Sequence, residues 1–118
     1  MLTSQHHSRI RELNDALRTS TDDIDHLIIN GCVVITRSLM YKGSDFLTAA
    51  IAAMRNFRDF DPDNDPHSEH DFAMMEVWGE TVIWKIDDYA PDLQHGSEEP
   101  WDAGKTRRVL TLMLGEDD

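Results

Sequence analysis

"FAMMEVWGETVIWKID", residues 72–87, places two β-prone runs on either side of Gly79-Glu80. Glycine in the first place of a two-residue loop suits a type II′ hairpin turn. That turn pairs Val77 with Val82, Met75 with Trp84 and Ala73 with Ile86, so one face of the hairpin is wholly apolar. The other face pairs Trp78 with Thr81, Glu76 with Ile83 and Met74 with Lys85, a mixed surface suited to partial hydration. Trp84 and the Met74-Met75 pair therefore read as sheet and core.

Upstream, residues 44–56 carry Phe46, Leu47, Ala50, Ile51, Ala53 and Met54 as a broad apolar stripe continued by Phe57, with Ser44 as the expected cap. This predicts the helix that covers the apolar face. A second amphipathic helix is predicted over residues 5–19 from Ile10, Leu13 and Leu17, starting near Ser4 or Ser8. Between them, "HLIINGCVVITRS" predicts a strand over Cys32–Arg37, with Asn30-Gly31 as a hairpin turn to a short upstream arm. Residues 107–114 alternate with Leu110, Leu112 and Leu114 on one face and predict the last strand. The fold class that follows is α+β, a small antiparallel sheet with the 72–87 hairpin, packed by two helices.

The chain of 118 residues is 40% hydrophobic with three tryptophans, enough for one domain with a real core. Its first residues, "MLTSQHHSRIRELND", hold no apolar leader, and "FLTAAIAAM" is far below the span of a membrane, so a cytoplasmic protein is expected. Cys32 is the sole cysteine and, beside Val33, Val34 and Ile35, is expected to be buried and inert. His6 and His7 read as the solvated start of a helix.

Charge is the dominant global signal, with 23 acids against 11 bases and a formal net charge of −12. Residues 59–71 hold six acids and residues 87–102 hold six more, and neither segment contains Lys or Arg. Such a surface repels nucleic acid, whose binding is driven by cations displacing counterions from phosphate. Solubility alone explains an acidic surface; the partner it would suit is a basic protein. The long loop from Asp87 to Lys105 contains Pro and Gly and has no periodicity, a pattern common in functional loops. Trp101 within it is either an anchor on the core or an exposed binding residue.

"DPDNDPHSEHD", residues 61–71, concentrates five carboxylates and two histidines. Asp61, Asp63 and Asp65 have the spacing that opens an EF-hand loop, but Pro66 stands where its glycine is needed and Phe72 where its bidentate glutamate is needed. His67 and His70 have ligand spacing for zinc or manganese if Asp87, Asp88 or His95 adds a third donor. Pairing Phe72 with Asp87 would bring His70 and Asp71 toward Asp88. The same groups suit acid–base chemistry, though without a Ser or Cys nucleophile signature, a phosphate loop or a cofactor motif. A structural role is simpler, with Asx-turns around the prolines and His70 bonded to a carboxylate or backbone group at the open end of the hairpin.

"DPDNDPHSEHDF", "WKIDDYAPDLQHGSEEP" and "TRRVLTLML" together resemble the bacterial family catalogued as domain of unknown function 3768, over Arg9 to Leu114. Asp63, Asn64, Asp65, His70, Asp71, Lys85 and Asp87 match its motifs, whereas His67-Ser68, Ala73, Asp88 and the acidic end "GEDD" depart from them. The resemblance implies no activity; it implies an association with plasmids, phages and other mobile elements. Two functions are consistent with these residues. One is a noncatalytic acidic interaction protein that mimics nucleic acid, an inhibitor of a host defence system of the anti-CRISPR or antirestriction type. Its candidate partner-binding residues are Asp61, Asp63, Asp65, Asp92, Glu98, Glu99 and Trp101, with no cofactor, no membrane and no direct nucleic acid contact. The alternative is a small metal-dependent or acid–base enzyme using His67, His70, Asp71, Asp87 and His95.

Overall fold

The structure is a computed structural model that describes residues 2–21, 26 and 29–118. Helix α1 (Ser4–Thr19) leads to strand β1 (Gly31–Ile35), a short helix α2 (Arg37–Met40) and helix α3 (Ser44–Asn56). Strands β2 (Phe72–Val77), β3 (Glu80–Tyr89) and β4 (Arg107–Leu114) complete a four-stranded sheet in the order β1-β4-β3-β2. The α+β class expected from the sequence is the one observed.

The sheet is mixed rather than wholly antiparallel. Strand β1 pairs with β4 in parallel, Gly31 opposite Arg108 and Val33 opposite Leu110. A parallel pair needs a long crossover, which α2, α3 and the β2–β3 hairpin supply. The strand ends at Ile35, two positions short of Arg37, because α2 already begins at Arg37 with Thr36 as the extended residue before it. Leu27 and Ile28, in the expected upstream hairpin arm, lie outside the described residues.

The hairpin forms with a register two residues away from the expected one. Val77 pairs with Glu80, Met75 with Val82 and Ala73 with Trp84. The loop is therefore Trp78-Gly79, with φ of 51° and 81°, which is the type I′ arrangement. Placing Trp84 opposite Ala73 rather than Met75 gives the indole room to meet Phe57, Phe60 and the Arg18 guanidinium. Because the slip is even, every side chain keeps its expected face. Phe72 consequently faces Lys85, not Asp87.

The core lies between the sheet and α1 plus α3. Met75, Val77, Val82, Trp84, Ile86, Leu110 and Leu112 are buried with Leu13, Leu17, Phe46, Ala50 and Met54, and Leu47 and Ile51 pack against them. Gly31 marks a close approach of α1, since a Cβ there would lie 2.8 Å from a Leu17 methyl. Cys32 is exposed, contrary to expectation. It sits on an edge strand and alternates with Gly31 and Val33, so it shares with Val34 the face away from the helices.

Both long helices start differently from the sequence reading. Gly43, at φ 101°, rather than Ser44 precedes the first turn of α3. In α1, Thr3 is the cap: its Oγ1 accepts from the His6 N–H, while the Thr3 N–H donates to His6 Nδ1. His6 is thus part of a reciprocal capping box, not a freely solvated residue. Among the described residues no helix is long and apolar enough to cross a membrane.

Candidate functional site

Both acid-rich loops leave the same end of the sheet, one entering β2 at Phe72 and the other joining β3 at Tyr89 to β4 at Arg107. Helix α1 holds them there with polar side chains. His7 Nδ1 lies 2.6 Å from Glu69 Oε2. Arg11 donates to the Ser68 carbonyl at 2.9 Å, and Asn14 Nδ2 donates to the Glu69 carbonyl at 2.9 Å. Farther along, Arg18 Nη1 donates to the Met54 and Phe57 carbonyls at 2.9 and 3.1 Å, tying off the last turn of α3 where the loop begins. His7, Arg11, Asn14 and Arg18 follow i, i+4, i+7, i+11, a helical stripe beside the apolar one.

Within the first loop, Asp61 Oδ1 accepts from the Asp63 and Asn64 N–H groups at 2.8 and 2.9 Å. Asn64 Oδ1 in turn accepts from the Asp61 N–H, and its Nδ2 donates to the Asp59 carbonyl. These are Asx-turns closing around Pro62. Asp65 is only 6% exposed, and its Oδ1 accepts from the N–H groups of Glu69 and His70. Ser68 and His70 are held at φ 55° and 53°, positions that side chains occupy at a cost, and the Asp65 carboxylate fixes them. The His70 ring stacks on Phe60 at 3.7 Å and bonds Asp15 of α1 through Nδ1 at 3.0 Å. Its Nε2 is 3.6 Å from Asp65 Oδ2, so the imidazole lies between two carboxylates.

Deeper in the same end, Asp88 and Arg108 face each other directly across β3 and β4 on the helix-covered side. Arg108 is fully buried; its Nε donates to Asn14 Oδ1 at 2.9 Å, and its Nη2 donates to the Pro100 carbonyl of the second loop. Asp88 Oδ1 lies 3.6 Å from Arg108 Nε, an ion pair too long for a hydrogen bond, and is shut off from solvent with no hydrogen-bond partner among the described residues. Burial pushes the Asp88 carboxyl up to about 6 against the pull of Arg108, with Glu69, Asp71 and Asp87 adding repulsion. Asp71 is raised too, first by burial and then by Glu69. Burial also lowers Arg108.

The second loop is anchored at its centre. Trp101 stacks on His6 at 3.8 Å with an interplanar angle of 11°. Buried Thr106 donates to the Glu99 carbonyl and meets Ser97 Oγ at 2.8 Å. Successive histidines at the start of α1 therefore dock one loop each, His6 the second and His7 the first, which corrects their reading as merely solvated.

The expected site residues separate accordingly. Asp61, Asp63, Asp92 and Glu98 are exposed; Glu99 is half-buried and bonded to Lys105 at 2.9 Å; Trp101 is half-buried; Asp65 faces inward. The His/Asp set does not converge. His67 is exposed and stacks on His7, His95 pairs with Asp92 at 3.1 Å in the other loop, and His70 is held by Asp15. Asp87 alternates with Asp88 and lies on the opposite face of the sheet. Among the described residues no group of three or more His, Cys, Asp or Glu side chains is placed to hold a metal ion. Asn14, Arg18 and Arg108 were not anticipated, although Arg108 has a readable signal: it is in phase with Leu110, Leu112 and Leu114, a cation in the buried phase of a strand.

Residues 35–117 match the model of a family described as "Protein of unknown function (DUF3768)", a span that includes both loops and leaves α1 outside. No curated protein and no solved structure matches the chain.

Proposed function

Since the chain belongs to the DUF3768 family, whose description names no activity, we propose from its own surface that it is a noncatalytic acidic binding protein. Its partner is a basic, nucleic-acid-binding protein. The observation that carries this reading is the gathering at one end of the sheet of two segments, residues 59–71 and 87–102, that hold six acids each and no Lys or Arg. Fixed carboxylates offer a preorganised negative surface, which speeds encounter with a basic site and competes with phosphate for it. Inhibition of a host defence nuclease, as an anti-CRISPR or antirestriction factor carried by a mobile element would achieve, is the role such mimicry suits. A metal-dependent or acid–base enzyme has less support, because His67 and His70 of the first loop meet different partners, His95 pairs with Asp92 in the second, and Asp87 lies on the sheet face away from the helices.

The test is capture from nuclease-treated bacterial lysate on the immobilised protein, followed by affinity measurement on the retained partner. The expected partner elutes with rising salt, is displaced by DNA or RNA, and loses affinity when Asp61, Asp63, Asp92 and Glu98 become Asn or Gln. Unchanged affinity and salt slope in that folded variant would eliminate the acidic-surface mechanism.

A further inference from the structure

Strand β2 is one edge of the sheet. Just before the Phe72–Lys85 pair, the Ile86 N–H donates to the Asp71 carbonyl at 2.8 Å, so Asp71, Ala73, Met75 and Val77 are the residues that hydrogen-bond β3 in this antiparallel ladder. Phe72, Met74 and Glu76 therefore turn their N–H and C=O groups to the free edge, where nothing among the described residues bonds them. Natural edges are guarded by lysine, proline, a bulge or a covering segment. Strand β2 pairs regularly from Phe72 to Val77, contains neither Pro nor Lys, and has Met74 at its centre, 62% exposed. On the face away from the helices, Met74 begins an apolar row that continues through buried Ile83 and Met113. Glu76 is exposed and Lys85 half-buried on that face, and neither side chain has an ion-pair partner among the described residues.

We propose that the β2 edge pairs with β2 of a second copy of this chain, antiparallel about a two-fold axis at Met74, joining the two sheets into one. With Met74 opposite the partner subunit's Met74, Phe72 falls opposite the partner subunit's Glu76, and the outward backbone groups of these residues bond one another. A slip of two residues either way leaves an outward group of the strand unpaired, so the register is defined. The two methionines cover each other and make the apolar rows continuous. Charge selects a second copy as the occupant. The partner subunit's Glu76 lies on one side of Phe72 and Lys85 on the other, about 10 Å apart over two strand spacings and within reach of a lysine stem. The two-fold axis repeats this contact, so each unpaired charge meets its opposite. Antiparallel pairing also sends the acid-rich ends of the chains in opposite directions, which limits repulsion between molecules of net charge −12. No residue of segments 59–71 and 87–102 other than Lys85's neighbours on β3 lies near this edge, and none is used, so the interface stands or falls independently of the basic partner.

Sedimentation of the full chain over about 1 to 500 µM should show a saturable monomer–dimer equilibrium, with a dissociation constant of about 10 to 100 µM because an edge contact buries little surface. Met74→Lys should weaken the dimer at least about tenfold while the dilute monomer keeps the wild-type melting temperature. Glu76→Lys and Lys85→Glu should each weaken it about three- to tenfold, and the two together should restore it. An effect of net charge alone would move those single variants in opposite directions. With Cys32 replaced by Ser, Met74→Cys should oxidise to a disulfide-linked dimer, since directly opposed Cα atoms lie about 5.5 Å apart. Glu76→Cys should not, its two copies being roughly 14 Å apart. A chain monomeric throughout the series, assembly that grows past the dimer, a dimer indifferent to Met74→Lys, a charge swap no tighter than its single variants, or equal cross-linking of the two cysteine variants would each overturn the assignment.

Discussion

Arg108 Nε donates to Asn14 Oδ1 at 2.9 Å, joining two fully buried residues 94 positions apart. Asn14 also donates to the Glu69 carbonyl, and Arg108 to the Pro100 carbonyl, so this pair links α1, β4 and both acid-rich loops. Replacing Asn14 by Leu leaves Arg108 Nε and the Glu69 carbonyl without it and should destabilise the fold by about 2 to 4 kcal/mol. A denaturant midpoint within error of wild type would show that the link contributes nothing.

The tryptophans of the hairpin should respond in opposite ways. Trp84 is buried against Phe57, Phe60 and Arg18, and Trp84→Ala should cost about 3 to 5 kcal/mol. Trp78 is 67% exposed and sits at φ 51° in a turn that favours Asn, so Trp78→Asn should relieve about 1 kcal/mol of backbone strain. The edge contact of Trp78 with Phe46 offsets part of that gain. Thermal melts in which Trp78→Asn falls well below wild type would contradict the type I′ register.

Asp88 makes stability depend on pH in an unusual direction. Its folded-state carboxyl is raised to about 6 from an ordinary value of 3.8, so the folded protein binds the proton more tightly than the unfolded chain. Between those values stability falls as pH rises, and above about 6 the ionised group carries its full cost, on the order of 2 to 3 kcal/mol. Asp71, raised in the same direction, adds to the trend. The stability of Asp88→Asn relative to wild type should therefore grow from pH 4 to pH 7, read from denaturant melts at each pH. A difference that is flat across this window would mean that Arg108 compensates the charge fully.

The legible parts of the fold were those set by period. Strand β4 and helix α3 occupy the predicted residues because their apolar repeats of two and 3.6 admit little else. The hairpin register was not legible, since Gly79 fits the first position of a II′ turn as well as the second of I′. The choice between them is made by the space Trp84 needs beside Ala73. Strand β1 has a local pattern suited to either direction, and only the path through α3 makes it parallel. In the site, the Asx-turns followed from Asp, Asn and Pro spacing and Asp88 was a candidate donor, whereas its burial opposite Arg108 was missed because Arg107-Arg108 reads as a surface charge pair, although Arg108 shares the phase of Leu110 and Leu112.

The acids of residues 59–71 and 87–102 should divide into two groups when neutralised singly. Asp61, Asp63, Asp92 and Glu98 are exposed, and removing one charge from a surface already at −12 relieves repulsion. Asp61 and Asp92 also accept backbone N–H groups, a role Asn retains, so all four Asn or Gln variants should stay within about 0.5 kcal/mol of wild type. Asp65→Ala should instead cost about 2 to 3 kcal/mol, because the Glu69 and His70 N–H groups lose their acceptor and the backbone at Ser68 and His70 loses its restraint. Limited proteolysis adds a local readout: the 57–71 loop should become cleavable in Asp65→Ala and stay protected in Asp63→Asn. If both variants resist protease equally and melt together, the loop is held by the α1 contacts alone, and Asp65 belongs with the surface acids available to a partner.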